Sequence, residues 1–181
     1  MKENKMLPPE IKILLVEDNP GDARLIIEML RSNSQFEHSV SIAENMKSAV
    51  ADLSESVYDV IILDLNLPDS SGLATLDIIV GSTERLIPVI VLTGVDDDDI
   101  GLSSIDRGAE DYLIKGEVDP PQFLRSTKYA IERKQMMLKL IESERRLKEA
   151  QAVANVGDWE FDIASQKIIW SDQVYRMYER D

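Results

Sequence analysis

Four short apolar runs in this chain each stop at a polar residue. Residues 11–16 run into Glu17 and Asp18, residues 60–63 into Asp64, residues 88–92 into Thr93, and residues 112–114 into Lys115. Short runs rich in Val, Ile and Leu, with no polar alternation, read as strands buried on both faces of a parallel sheet. In open sheets of that kind ligands bind outside the carboxyl ends of the strands. Three carboxyl groups, a hydroxyl and an ammonium are therefore delivered to one edge. Taken singly each has an ordinary explanation: a solvated turn pair, a loop acid, a helix-capping Thr, a surface Lys. Their joint placement at successive strand ends does not.

Helix signals alternate with these runs. Asn19-Pro20-Gly21-Asp22 is a turn and helix start, and residues 23–31 carry an apolar face through Ile26, Ile27 and Leu30. Residues 39–43 read as a weaker strand, 46–53 as a short helix, 58–63 as a strand and 68–72 as a loop. Residues 73–79 and 96–107 read as helices, separated by a strand at 89–92, and residues 111–114 as the last strand. Regular alternation of this length predicts an α/β domain with helices on both faces of a parallel sheet.

The 181 residues exceed what that domain needs. With no cysteine, disulfides, thiolate metal sites and cysteine nucleophiles are excluded. There is no apolar leader and no stretch long enough to cross a bilayer, so the chain reads as cytoplasmic. The net charge of −14 is uneven. Residues 1–119 hold 24 acids and 9 bases, residues 120–155 hold 4 and 8, and residues 156–181 hold 6 and 3. A first domain of −15 repels polyanions, which argues against direct nucleic-acid binding. The basic segment alternates in sign, as a solvated helix does.

From 121 to about 155 the chain has one Pro, at its start, no Gly, and mostly strong helix formers, so a helix too long for a compact domain is expected to project from it. Leu124, Ile131, Leu138 and Arg145 follow a heptad, and Leu140, Leu147 and Ala154 a shifted one. That phase slip fits a signalling coiled coil and a parallel homodimer through 121–155. The alternative is an amphipathic helix packed on its own domain. After Gly157, residues 158–162 and 167–170 read as two strands and 172–178 as a helix start, too little to enclose a core. The expected organisation is a first domain at 1–119, an extended helix at 120–155 and a fragment of a second domain at 156–181.

The stretches LLVEDNPGDARL, VIILDLNLPDSSGL, PVIVLTG and GAEDYLIKG resemble response-regulator receiver domains of multidomain two-component sensor proteins. The resemblance covers the whole first domain and implies a flavodoxin-like doubly wound five-stranded parallel sheet of order 2-1-3-4-5. It implies a phosphoacceptor that takes a phosphoryl group from a partner histidine kinase or phosphotransfer protein. Crowded carboxylates at Glu17, Asp18 and Asp64 repel one another, which raises pKa values and favours a hard divalent cation, Mg²⁺ or Mn²⁺. By resemblance Asp18, Asp64 and the backbone carbonyl of Asn66 ligate it, with Glu17 acting through water. Asp64 is then the nucleophile, forming an aspartyl phosphate. Lys115 neutralises the transferred group, Thr93 and the N–H of Gly94 hydrogen-bond it, and Tyr112 rotates as Thr93 moves. The only enzymatic steps implied for this chain are its own phosphorylation and dephosphorylation at Asp64.

Two positions depart from the family's pattern. Gly94 stands where Ala is common after the Thr. Gly116 stands where a cis Pro commonly follows the Lys, and a trans bond is expected there. The acidic run 96–99 reads as a helix opening whose charges complement the helix dipole. His38, the single histidine, lacks the setting of a phosphodonor. The tail GDWEFDIASQKIIWSDQVYRMY resembles the opening of a PAS sensory domain. The parent protein would then end in a histidine kinase or a cyclic-dinucleotide synthase. Two rivals stand beside this reading. An aspartate-nucleophile phosphatase needs a second acid where Asn66 stands, and a receiver-shaped interaction module that is never phosphorylated would not need the five polar residues intact.

Overall fold

The computed structural model describes residues 10–32, 37–83, 87–94, 98–154, 156–157 and 159–178. The stretch 1–9, Asp96 and Asp97 of the acidic run, Asn155, Asp158 and residues 179–181 lie outside them. The chain divides into two compact units, residues 1–135 and 136–181.

The first unit is built on five parallel strands: β1 (Glu10–Val16), β2 (Glu37–Ala43), β3 (Val60–Leu63), β6 (Val89–Thr93) and β7 (Asp111–Ile114). Their spatial order is β2-β1-β3-β6-β7. Counted along the chain this is 2-1-3-4-5, the expected doubly wound order. Every residue of β3 and β6 is buried, as continuous apolar runs require when both sheet faces are covered. Alternate residues feed two cores. Ile13, Leu15, Ile62, Ile90 and Leu92 pack on one face with Ile26, Leu30, Phe123 and Ile131. Leu14, Val16, Ile61, Leu63 and Val91 pack on the other with Ala49, Leu76 and Ile79.

The covering helices are α1 (Pro20–Arg31), α2 (Met46–Glu55), α3 (Leu73–Ser82), α4 (Asp98–Asp106) and the first half of α5 (Pro120–Ala154). Helix α1 starts where Asn19 Oδ1 accepts from the N–H groups of Gly21 (2.8 Å) and Asp22 (3.4 Å), with Pro20 in the first turn. Strand β3 begins two residues later than the 58–63 run, because Asp59 turns its carboxylate to the Lys12 N–H at 2.8 Å. Residues 68–72 are not a plain loop. A two-residue pair, β4 (Asn66–Leu67) and β5 (Ser70–Ser71), forms a small antiparallel hairpin, and Asp69 at its tip accepts from the N–H groups of Met46 and Lys47 at 2.8 and 3.0 Å. Those bonds hold the Asp69 carboxyl below its ordinary pKa and satisfy N–H groups that the start of α2 leaves open.

Helix α5 runs unbroken for 35 residues. Phe123, Leu124, Ala130 and Ile131 are core residues of the first unit, so the upstream members of the heptad, Leu124 and Ile131, are spent on its own domain. Beyond Gln135 the leucines of the two series, Leu138, Leu140 and Leu147, are exposed, and so is Val153 outside them. There Glu142 bonds Arg145 and Arg146 across one helical turn. These bonds hold the Glu142 carboxyl at about 2 and reinforce a helix stretch with an exposed apolar side.

In the second unit β8 (Trp159–Asp162) and β9 (Lys167–Trp170) pair antiparallel, followed by α6 (Asp172–Met177). Trp170 sits 5.5 Å from Tyr175 and 5.6 Å from Tyr178, ring centre to ring centre. Trp159, Phe161, Ile168 and Ile169 remain exposed. Among the described residues no helix is long and apolar enough to cross a membrane.

Candidate functional site

The carboxyl ends of β1, β3 and β7 bring one site together. Glu17 continues the β1–β2 ladder, its N–H on the Ala43 carbonyl at 2.9 Å. The Asn19 cap then turns the chain sharply into α1. This turn leaves Glu17 buried (1% exposed) and Asp18 on the surface. The Asp64 N–H donates to the Val16 carbonyl at 2.9 Å, which ties the third acid to the strand that carries the first two. One carboxylate oxygen of each of Glu17, Asp18 and Asp64 lies within 4.8 Å of the others.

Lys115 enters from β7. Its N–H donates to the Thr93 carbonyl at 2.7 Å, and its Nζ lies 2.5 Å from Asp64 Oδ2, 2.5 Å from Glu17 Oε2 and 3.0 Å from Asp22 Oδ2. Glu17 Oε2 is buried, and the Lys115 ammonium is the cation that faces it. Burial pushes the Glu17 carboxyl above its ordinary pKa, the Lys115 ammonium pulls it back, and the Asp64 charge adds to the rise. Crowding therefore contributes as expected, though burial is the larger cause. The three carboxylates raise the Lys115 pKa against the opposing effect of burial.

The loop after Asp64 is braced. The Asn66 N–H donates to Asp64 Oδ1 at 2.9 Å. Buried Thr75 donates to the Leu65 carbonyl at 3.0 Å and shares a 2.8 Å hydrogen bond with Ser70. Thr93 ends β6, buried at 1%, and Gly94 beside it is exposed. Tyr112 is half-buried on β7 and lies against α4. A Cβ on Gly101 would stand 3.0 and 3.1 Å from two carbons of its ring, so the glycine permits that close approach. Gly116 has φ +85°, a region that glycine enters readily. Among the described residues no peptide bond is cis, in keeping with the trans bond expected before it.

Asp22 is the site residue that sequence reasoning misses. The turn Asn19-Pro20-Gly21-Asp22 identifies it only as the beginning of a helix; its reach to Lys115, 93 residues away, depends on the β1–β3–β6–β7 order.

The donor set fits a divalent cation. It is all oxygen, carries three acids against one ammonium, and includes a buried carboxylate, Glu17. Hard cations take such ligands. When bound, the ion would supply positive charge beside Asp64.

A doubly wound parallel sheet with an acidic cluster and a lysine at its carboxyl edge defines a phosphoacceptor class of signalling domain. Residues 13–128 match the response regulator receiver domain family, and the chain belongs to that family, the phosphoacceptor modules of two-component signalling. Similar proteins include the transcriptional regulatory protein ZraR of Salmonella typhimurium, 28% identical over 110 residues, 61% of this chain and 24% of that protein. PmrA of Pectobacterium parmentieri is 37% identical over 105 residues, 58% of this chain and 46% of that one. The chain thus spans about a quarter to a half of the length of these relatives. Among solved structures, the Mn²⁺-bound response regulator Rcp1 is 30% identical with TM-score 0.54, covering 65% of this chain and 90% of that one. The phosphorylated cyanobacterial phytochrome response regulator RcpA is 33% identical with TM-score 0.55, covering 66% and 91%.

Proposed function

We propose that Asp64 is the phosphoacceptor of this chain, loaded from the phosphohistidine of a partner kinase or phosphotransfer protein. The observation that carries this reading is the Asp64 side chain, 9% exposed, held against the Lys115 ammonium inside the acid cluster. An Asp64 oxygen attacks phosphorus, the P–O bond forms, and the P–N bond breaks with its electron pair leaving on the imidazole, which takes up a proton. Positive charge near the equatorial oxygens matters more to such a transition state than a strong base. Lys115 supplies it from this chain. Asp18, Asp64 and the Asn66 carbonyl would hold Mg²⁺ or Mn²⁺, with Glu17 behind them. The Mn²⁺ in Rcp1 and the phosphorylated state of RcpA support both parts. Thr93 and the Gly94 N–H would bond the product phosphoryl group, and Tyr112 would follow Thr93.

The output runs through α5. The proposed division is a receiver at 1–119, a connecting helix at 120–155 that pairs two chains, and a PAS-like segment at 156–181 in a sensor kinase or cyclic-dinucleotide synthase. The −15 charge of residues 1–119 supports a receiver that does not itself touch nucleic acid. Acetyl phosphate with Mg²⁺ should add one phosphoryl group to the protein by intact mass and none to Asp64→Asn. Equal gain in both would overturn the assignment.

A further inference from the structure

We infer that Asp22 is a positioning residue that keeps the Lys115 ammonium over Asp64 when the acid cluster is loaded with a divalent cation. The inference rests on the proposed role of Asp64 and deepens it. Three carboxylates meet Lys115 Nζ: Glu17 and Asp64 at 2.5 Å and Asp22 at 3.0 Å. Glu17 and Asp64 belong to the cluster of convergent acidic oxygens, and Asp22 does not. A divalent ion among Glu17, Asp18 and Asp64 competes with the ammonium for two of its three partners and repels it. The Asp22 contact is the one that such an ion leaves intact.

The rest of the geometry suits that task. Asp22 sits in the first turn of α1, where its N–H donates to Asn19 Oδ1 and the cap fixes its backbone. Its side chain is 40% exposed, against 15% for Lys115 and 9% for Asp64, so it holds the ammonium from the rim. A lysine ammonium is a compact charge on a flexible four-carbon stem. With its inner partners neutralised and no rim partner, it would swing into water. With Asp22 it stays beside the Asp64 oxygen, where the equatorial oxygens of an incoming phosphoryl group are delivered.

The test compares the full chain with Asp22→Asn and Asp22→Glu. At saturating Mg²⁺, D22N should be phosphorylated by acetyl phosphate about tenfold more slowly, equivalent to roughly 1.4 kcal/mol of activation free energy. Its Mg²⁺ affinity should stay within about twofold to threefold, and D22E should recover most of the rate. A second readout needs no turnover. In unphosphorylated, Mg²⁺-saturated protein the ¹⁵N resonance of the Lys115 ammonium should persist in wild type and D22E and be lost to water exchange in D22N. In EDTA it should persist in all three, because Glu17 and Asp64 then hold the lysine. A wild-type rate in D22N, a loss that tracks Mg²⁺ affinity, no rescue by Glu, or an ammonium signal equally protected in D22N with Mg²⁺ would each overturn the inference. Wild-type protein that gains no phosphoryl group would instead defeat the assignment of Asp64, which separates the two failures.

Discussion

Replacing Lys115 with Met keeps the length of the side chain and removes the cation from the acid cluster. Two of the carboxylates it leaves are buried, Glu17 at 1% and Asp64 at 7% exposure. Removing one partner from a fully buried ion pair costs about 3–5 kcal/mol, chiefly for the charge left behind. Here Asp22 is 40% exposed and Asp18 lies on the surface, so water reaches the rim and the cost falls to about 2 kcal/mol at neutral pH. The dependence on pH carries the diagnosis. The folded-state pKa of Glu17 is already raised, and Lys115 is what restrains it; without the lysine it rises further. Between the unfolded and folded pKa values of such a carboxyl the native state binds more protons than the unfolded state, so stability falls as pH rises through that window and returns as pH drops. Urea unfolding of wild type and Lys115→Met in EDTA should show a deficit of about 2 kcal/mol near pH 7.5 that shrinks toward zero near pH 5. Mg²⁺ should recover more stability in the variant than in wild type, since the ion replaces the missing positive charge. A deficit of the same size at both pH values would show that lost packing, not an uncompensated Glu17, explains the cost.

Other outcomes follow from the same geometry. Asp18→Asn removes an exposed member of the acid cluster; Mg²⁺ affinity should drop about tenfold or more, on the order of 1.4 kcal/mol, while metal-free stability holds or rises as repulsion is relieved. Unchanged affinity by calorimetric titration would remove Asp18 from the ligand set. The exposed apolar residues of α5 should pair two chains, so light scattering should give a dimer mass for the wild-type chain and a monomer mass for the double variant Leu140→Glu/Leu147→Glu. A monomeric wild type at high concentration would refute the pairing.

The strand ends are legible in the amino-acid sequence because both signals are local. Continuous Val, Ile and Leu at 60–63 and 89–92, alternating with helix signals, read as strands covered on both faces, and the polar residue that follows each one then sits at the sheet's carboxyl edge. The Asn19-Pro20 start of α1 is legible for the same reason, since a cap is written in adjacent residues. The hairpin at 66–71 is not, because it is held by Asp69 reaching α2 and Thr75 reaching Leu65, partners that the sequence does not place. The heptad in α5 misleads over its first turns. A leucine or isoleucine every seven residues looks alike whether it faces another helix or its own sheet, and packing turns Leu124 and Ile131 inward. Asp22 is the clearest case. Its residue type and its place in the first turn of α1 come from the sequence alone, and from them it is only a helix-opening acid. Its contact with Lys115 exists because the strand order β2-β1-β3-β6-β7 folds the end of β7 back toward the start of α1, and strand order is set by long-range burial rather than by local pattern.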